Sequence, residues 1–414
     1  MKYAVLGYGG RGNVYTQCLL NDKRAKLVAV CDKKQIRLDF AQKVTGINKE
    51  DCYLSDYEFF SKGKLADLLI VSTQDADHYR HALTALEIGY DLLLEKPIAD
   101  SYERCVDIYK LAKKLSRKVF VCHVLRYAPF FQFIKEQLSS GKYGKVSTIN
   151  LTENVAYWHQ SHSYVRGNWA KTESSTPMIL AKCCHDLDII SWYMDGDKCK
   201  SVSSFGSLDY FTPQNAPKGS AEYCFECAAR NDCPYDSYTV YKQRAGWLSN
   251  VDWIEEGGGS EALKAAVKNK ACPYNRCVFK CDSTAVDHQV VNMLFDSGAT
   301  AHLTMTAFSG ECYREIHVHC TKGDMYGSMH DNQITCHIYG KDKEIVDIQK
   351  LSDGNYGHGG GDARLINDII ETYEGGVAKG LTTIENSLSS HNIGYAAERS
   401  RLSGGMLEHI DYVK

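Results

Sequence analysis

Short apolar runs alternate with stretches of helical period through the first third of the chain. Tyr3–Leu6, Ala25–Cys31, Leu68–Thr73, Asp91–Leu94 and Lys118–Val124 read as buried strands. Asn13–Leu20, Ile36–Val44 and His78–Leu86 read as the helices between them. A further helix before the fifth strand turns Val106, Tyr109, Leu111 and Leu115 inward, and Asp100 with Glu103 predicts a capping box at its start. Such alternation predicts a parallel, doubly wound sheet that ends near Arg126-Tyr127.

The period then changes. After a predicted helix over Phe130–Leu138, ended by Gly141, the segments Lys145–Val155, Val286–Phe295, Ala299–Thr306, Glu315–Thr321, Asn332–Tyr339 and Glu344–Gln349 alternate apolar and polar positions. Hairpin-like turns at Asp296-Ser297-Gly298 and Lys322-Gly323-Asp324 predict a large, mostly antiparallel sheet with one open face. The expected fold class is α/β, a doubly wound domain over residues 1–126 followed by an α+β domain over 127–414. A cysteine-rich insert lies at about 205–285.

Composition narrows the function classes. The 414 residues exceed one ordinary core, in keeping with two domains. A net charge of −3 leaves no basic footprint, so nucleic acid is not an expected partner. No apolar run is long enough to cross a bilayer, and the chain enters its first strand too early for a signal peptide. Seventeen cysteines without a secretory signal predict a reducing, cytoplasmic setting.

The turn after the first strand is Gly7-Tyr8-Gly9-Gly10-Arg11-Gly12, a G-x-G-x-x-G pattern opening a helix. Gly7 permits the tight turn, Gly9 lets backbone approach a pyrophosphate, and Gly12 allows close helix–strand packing, with Gly10 and Arg11 expected among the cofactor contacts. Asp32, twenty residues after Gly12, ends the second strand where an acid holds a ribose diol. These signals predict a Rossmann domain that binds NAD. Lys33 and Lys34 leave NADP open, since either cation suits a 2′-phosphate.

Leu94-Glu95-Lys96-Pro97 stands at the carboxyl edge of the same sheet, where open α/β folds bind ligands. Together, the glycine turn, the acid and the spacing to E-K-P resemble the Gfo/Idh/MocA family of NAD(P)-dependent oxidoreductases of sugars and cyclitols. The resemblance implies that Lys96 touches both nicotinamide and substrate, with Glu95 and Pro97 shaping its turn. It also implies that the loop after the third strand, with Ser72, Thr73 and His78, lies near the cofactor. His78 reads equally well as a helix-start residue. A homodimer or homotetramer is implied for the assembly.

Ile179–Trp192 reads as one helix with Ala181, His185, Asp188 and Trp192 on a shared face. His185 is placed to take a hydroxyl proton, and Asp188 to orient its ring. This resembles the family's H-x-x-D helix, which implies that His185 is the acid/base. Cyclitol dehydrogenases of the family often carry an aspartate four residues earlier. Here that residue is Ala181, with Lys182 beside it as a second cation for substrate or for lowering a lysine pKa, a solvated or ion-paired lysine being the alternative.

Upstream, the aromatic segment 157–169 offers His159, Arg166, Asn168 and Trp169 as a carbohydrate-binding wall. Near the end, Tyr356-Gly357-His358 precedes a glycine run and Asp362, which is placed to cap a helix over Ala363–Tyr373; His358 either reaches substrate or belongs to that cap. In the insert, Cys224, Cys227 and Cys233 have the spacing of a structural metal knuckle, zinc among the candidates, with Cys272, Cys277 and Cys281 downstream. Buried free thiols and a disulfide are the alternatives there.

Three functions are compatible with these residues. The first is net oxidation of a carbohydrate hydroxyl by NAD. The second is a redox-neutral glycosidase that oxidises, eliminates and re-reduces. The third is a nucleotide-bound sensor without turnover.

Overall fold

The structure, a computed structural model, describes residues 1–20, 22–255, 257–351, 358–376 and 379–412. Its first sheet comprises β1 (Lys2–Leu6), β2 (Lys26–Cys31), β3 (Cys52–Tyr53), β4 (Leu68–Val71), β5 (Asp91–Leu94) and β6 (Val119–Val121). Their order is β3-β2-β1-β4-β5-β6, and every neighbouring pair is parallel. The strand order reverses between β1 and β4, which makes their carboxyl ends the expected ligand crevice. β3 went unpredicted because two residues show no period. The helix after β5 is capped by Ser101, whose Oγ accepts from Arg104 N at 3.3 Å. Asp100 instead pairs with the Arg104 guanidinium at 2.5 Å, so the expected capping box does not form.

The second sheet has nine strands: β7 (Val146–Asn154), β8 (Cys199–Ser207), β9 (His288–Phe295), β10 (Thr300–Thr306), β11 (Tyr313–Cys320), β12 (Gly323–Ser328), β13 (Gln333–Ile338), β14 (Glu344–Asp347) and β15 (Glu408–His409). The order is β14-β13-β12-β11-β7-β10-β9-β8-β15. All neighbours are antiparallel except β7 and β10, which run parallel with Thr300 opposite Thr148. The helix carrying His185 and the insert lie between those two strands in sequence, and so long a connection permits a parallel return. β12 escaped the sequence pattern because its residues, Gly-Asp-Met-Tyr-Gly-Ser, hardly alternate.

One face of this sheet carries the main core. Leu151, Leu303, Met305, Ile316 and Val318 pack there against Leu180, Leu187 and Ile190. The other face holds Asn150, Thr152, Glu315, His317 and Tyr326 and stays open. The chain also returns to the first sheet: Leu365, Ile366, Ile369 and Ile370, from helix Gly361–Glu374, pack with Tyr3, Val5 and Tyr15. No helix among the described residues is long and apolar enough to cross a membrane.

Leu303, fully buried at the centre of the parallel pair, should be a keystone. Leu303→Ala should cost about 2–5 kcal/mol through lost transfer energy and a residual cavity, read as a lower urea midpoint with unchanged slope.

Candidate active site

The site begins with the backbone of the first turn. Gly7 has φ +92°, and a side chain there would bring its Cβ to 2.6 Å from the Ser72 carbonyl oxygen. A Cβ at Gly12 would collide with the Gly7 carbonyl. Gly9 and Gly10 differ, since a Cβ at either meets nothing within 4 Å. The turn is thus tight where it meets the sheet and open where a pyrophosphate would lie, above the amino end of helix Gly10–Leu20. Asp32 is held with its carboxylate fixed by the backbone N–H of Tyr8 at 2.8 Å and of Lys34 at 2.9 Å. This arrangement fits a dinucleotide.

Ser72 donates to the Gly7 carbonyl at 2.7 Å and tightens the same turn. Thr73 Oγ1 lies 3.0 Å from His81 Nδ1. His78 is fully enclosed, its ring nitrogens 2.8 Å from the Pro97 carbonyl and 3.2 Å from the Thr73 carbonyl. Both nitrogens are thereby occupied by backbone, so His78 clasps the loop after β4 to the E-K-P turn and does not face a cofactor.

Lys96 follows β5 through Glu95, whose carboxylate is buried. Glu95 accepts from Arg11 at 2.7 Å, from the Tyr15 hydroxyl at 2.5 Å and from the Lys96 backbone at 3.0 Å. Burial alone would push the Glu95 carboxyl up, but the Arg11 and Lys96 charges hold it below its ordinary value. Arg11 also pairs with Asp362 at 2.6 Å, and His358 Nδ1 lies 3.0 Å from the same carboxylate. Asp362 therefore closes a chain of charges and is not the helix cap, a place taken by Gly360. Tyr356 and Gly357 lie outside the described residues.

The Lys96 ammonium donates to the Ala181 carbonyl at 2.7 Å. That carbonyl ends a short helix, Met178–Ala181, and a second helix, Cys184–Tyr193, carries His185. The single helix expected over 179–192 is thus broken at Lys182-Cys183, and Ala181 does not share the face of His185. His185 is 6% exposed and its Nδ1 has no hydrogen-bond partner. Its ring centroid is 5.8 Å from His123 and 6.0 Å from His358. Burial, then the Lys96 charge, keeps its pKa well below that of an ordinary imidazole, so the ring is neutral.

Asp188 does not orient His185 or face a substrate. It is 1% exposed and holds Arg126 through both oxygens, at 2.6 and 2.7 Å. Behind it His123 is enclosed with both ring nitrogens unpartnered, and His391 binds Ile98 N at 3.0 Å and the Ser387 carbonyl at 2.9 Å. Ile98 N must donate, so His391 is neutral with its proton on Nδ1.

Lys182 is only 13% exposed and pairs with Glu153 at 2.9 Å; Arg314 bridges Glu153 at 2.8 Å and Asp186 at 2.6 Å. Burial disfavours the Lys182 charge, yet Glu153 more than restores it, and its pKa is raised. It does not act as a lysine of lowered pKa. His159 is half-buried beside this group, its Nδ1 3.8 Å from Cys312 Sγ, and burial followed by Lys182 keeps it neutral. Of the other wall residues, Asn168 is exposed. The Trp169 indole donates to Asp75 at 3.0 Å, tying the wall to the first domain. Arg166 is turned away into the insert, bonded to the carbonyls of Arg276 and Tyr235.

Sequence reasoning therefore missed Arg126, His123, His391, Glu153 and Arg314. All are buried charged or polar residues, and only their rarity in a core distinguishes them in sequence. All seventeen thiols are free, which removes the disulfide alternative. Among the described residues, one His/Cys/Asp/Glu group brings its ligand atoms within 4.8 Å of one another: His317, His319 and Asp324, apart from this site on β11 and β12.

Residues 1–123 match the oxidoreductase family's NAD-binding Rossmann fold, and residues 135–408 match its C-terminal alpha/beta domain. The chain is 25% identical over 368 residues to the putative oxidoreductase YteT of Bacillus subtilis, covering 85% of this chain and 81% of that protein. It is 22% identical over 293 residues to glycosyl hydrolase family 109 protein 2 of a Shewanella species, covering 67% of this chain and 60% of that protein. The solved WlbA dehydrogenase of Bordetella pertussis, in complex with NADH and UDP-GlcNAcA, superposes with a TM-score of 0.71 at 16% identity, covering 100% of this chain and 98% of that one. At that identity the likeness shows a shared fold.

In an unfolded chain His123, His185 and His391 would each take up a proton near pH 6.5. Folded, burial keeps all three neutral, with His391 pushed down to about 3. The unfolded state therefore binds more protons below about pH 6.5, so their contribution is complete above that pH and is lost as pH falls through it, by up to about 1.4 kcal/mol per pH unit for each group. His391→Gln should unfold more easily near neutral pH yet show a shallower decline on acidification. A decline as steep as the wild type's, measured by urea midpoints, would refute this.

Proposed function

Because the chain belongs to the Gfo/Idh/MocA oxidoreductase family, we propose that it oxidises a secondary hydroxyl of a sugar, glycoside or cyclitol with NAD. The observation that carries the reading is the tether from Lys96 to the backbone four residues before His185. It brings a cation from the sheet edge next to a neutral imidazole with a free nitrogen, the pair that alcohol oxidation requires. Bound NAD supplies the hydride acceptor. Lys96 hydrogen-bonds the substrate oxygen and stabilises negative charge developing there. His185 accepts the hydroxyl proton. His159, Lys182 and His358 bind the rest of the ring, and water is excluded by the aromatic wall. A carbohydrate substrate is supported by the sugar nucleotide bound to the WlbA relative.

NAD is favoured over NADP by the insert. Asp252 pairs with Lys34 at 2.8 Å and with Arg37 at 2.6 Å, and the Lys34 backbone N–H in turn holds the Asp32 carboxylate at 2.9 Å. Cations that would serve a 2′-phosphate are thus neutralised, and a further negative charge is presented there. The open sheet face is assigned to a homo-oligomer, and the seventeen free thiols support a cytoplasmic setting.

The redox-neutral glycosidase reading is favoured by one feature, His159, a second neutral base in the cleft beside Lys182. The Shewanella relative is named as a glycosyl hydrolase. Purified enzyme with NAD and a panel of sugars, cyclitols and aryl glycosides separates the two. Steady growth of the reduced-nicotinamide absorbance supports the dehydrogenase. Aglycone release without that growth supports the glycosidase, and neither signal, despite NAD binding, counts against both.

With an active substrate, His185→Asn should lower kcat by about 10²–10⁴-fold while NAD still binds. Unimpaired turnover would remove the assignment. Asp252→Asn should raise kcat/KM for NADP relative to NAD by about tenfold, or about 1.4 kcal/mol; an unchanged ratio would show that Asp252 does not set the preference.

A further inference from the structure

We propose that the insert carries a metal centre ligated by the thiolates of Cys224, Cys227, Cys233 and Cys277. The assignment is independent of the hydride-transfer reading. These four side chains line one cavity of about 20 Å³, beside Tyr235 and Phe279. That is more than the space needed to seat one water, so the four thiols border a void at the edge of the apolar cluster that holds Cys277, Val278 and Phe279. Two of them share a tight turn, in which Cys227 N–H donates to the Cys224 carbonyl at 3.1 Å. Such a turn is the knuckle form of Cys-x-x-Cys. Cys233 follows before a helix capped by Asp236. Cys277 is brought back from the far end of the insert by the Tyr223–Arg276 bridge and by its own N–H, which donates to the Glu222 carbonyl at 2.9 Å.

A second observation is electrostatic. Arg166 is 5% exposed and keeps its charge at any physiological pH. It bonds two backbone carbonyls, and its Nη2 lies 3.5 Å from Cys224 Sγ. Its Nη1 is enclosed without a partner, and no carboxylate among the described residues forms an ion pair with it. A buried guanidinium without a counter-charge costs several kcal/mol. Thiolates bound to a metal supply that negative charge beside it, whereas four neutral thiols do not.

Sulfurs around one zinc ion stand about 3.8 Å apart, since each Zn–S bond is about 2.3 Å. Among the described residues no three of these sulfurs lie within 4.8 Å of one another. An iron–sulfur cluster, which four cysteines also hold, keeps its thiolates farther apart than a single zinc ion does. The centre would fix the insert against the substrate wall: Tyr241 binds His162 Nδ1 at 2.8 Å, and Trp247 packs on His159 with centroids 4.8 Å apart.

The test uses the full chain, expressed with iron and zinc supplied and purified without oxygen or chelator. Iron with matching acid-labile sulfide and a visible charge-transfer band supports the centre as a cluster. Zinc at one per chain with no acid-labile sulfide overturns the cluster assignment, because these sulfurs stand too far apart for a single ion. Cys227→Ser and Cys277→Ser should each reduce the bound metal to background. Cys272→Ser, whose thiol lies outside the cavity, should retain it. Cys227 is half-exposed, so its variant should fold, and circular dichroism of that variant separates metal loss from unfolding. Metal-free wild-type protein, or metal content unchanged in Cys227→Ser and Cys277→Ser, overturns the proposal.

Discussion

The hydrogen bond from Lys96 to the Ala181 carbonyl spans 85 positions of sequence and joins the two sheets' functional ends. It requires two local irregularities. The E-K-P turn must project a lysine past β5, and the helix ahead of His185 must break so that its last carbonyl faces the lysine. Each irregularity is held from behind. Glu95 is fixed by Arg11 and Tyr15, and Ile98 donates to His391 from the C-terminal helix. The break is flanked by the buried Lys182–Glu153–Arg314–Asp186 group. Removing any one member of that group would leave a buried charge uncompensated, the most costly kind of core defect.

Two kinds of polar burial meet at this junction. The acids around Glu95 and Glu153 are each matched by a cation, Arg11 for the first and Lys182 and Arg314 for the second. The imidazoles of His123, His185 and His391 are neutral because burial and nearby cations oppose a further positive charge. The division suits proton transfer. A base that is already neutral and dry can accept a proton from a substrate oxygen, and the lysine beside it need not give one up.

Much of this was legible in sequence where chemistry coincided with period. The glycine turn, the acid after β2 and the lysine after β5 each sit at the end of an apolar run, and the structure places them on one sheet edge. The helix break was not legible, because Ile179–Trp192 has no glycine or proline to announce it; tertiary partners of Lys182 and Lys96 decide it. Asp188 illustrates a second limit. Its spacing from His185 is right for orienting the ring, but spacing cannot reveal that Arg126, from the domain boundary, takes both carboxylate oxygens. Arg166 and His78 were misplaced for the same reason, since a polar side chain near a site in sequence is as often spent on backbone carbonyls.

The insert was the segment least explained by sequence, and it contacts both the aromatic segment and the first domain. Through Trp247 and Tyr241 it packs behind His159 and His162. Through Asp252 and Asn250 it reaches Lys34 and Arg37, next to the acid that would hold the cofactor's ribose. A segment of short helices with little regular sheet has few backbone restraints of its own, so a fixed position over both sites needs a cross-link. Four cysteines drawn to one cavity beside an uncompensated arginine provide the means. In the proposed arrangement one anchor would hold both the aromatic segment and Asp252, so that substrate and dinucleotide preference could not vary independently.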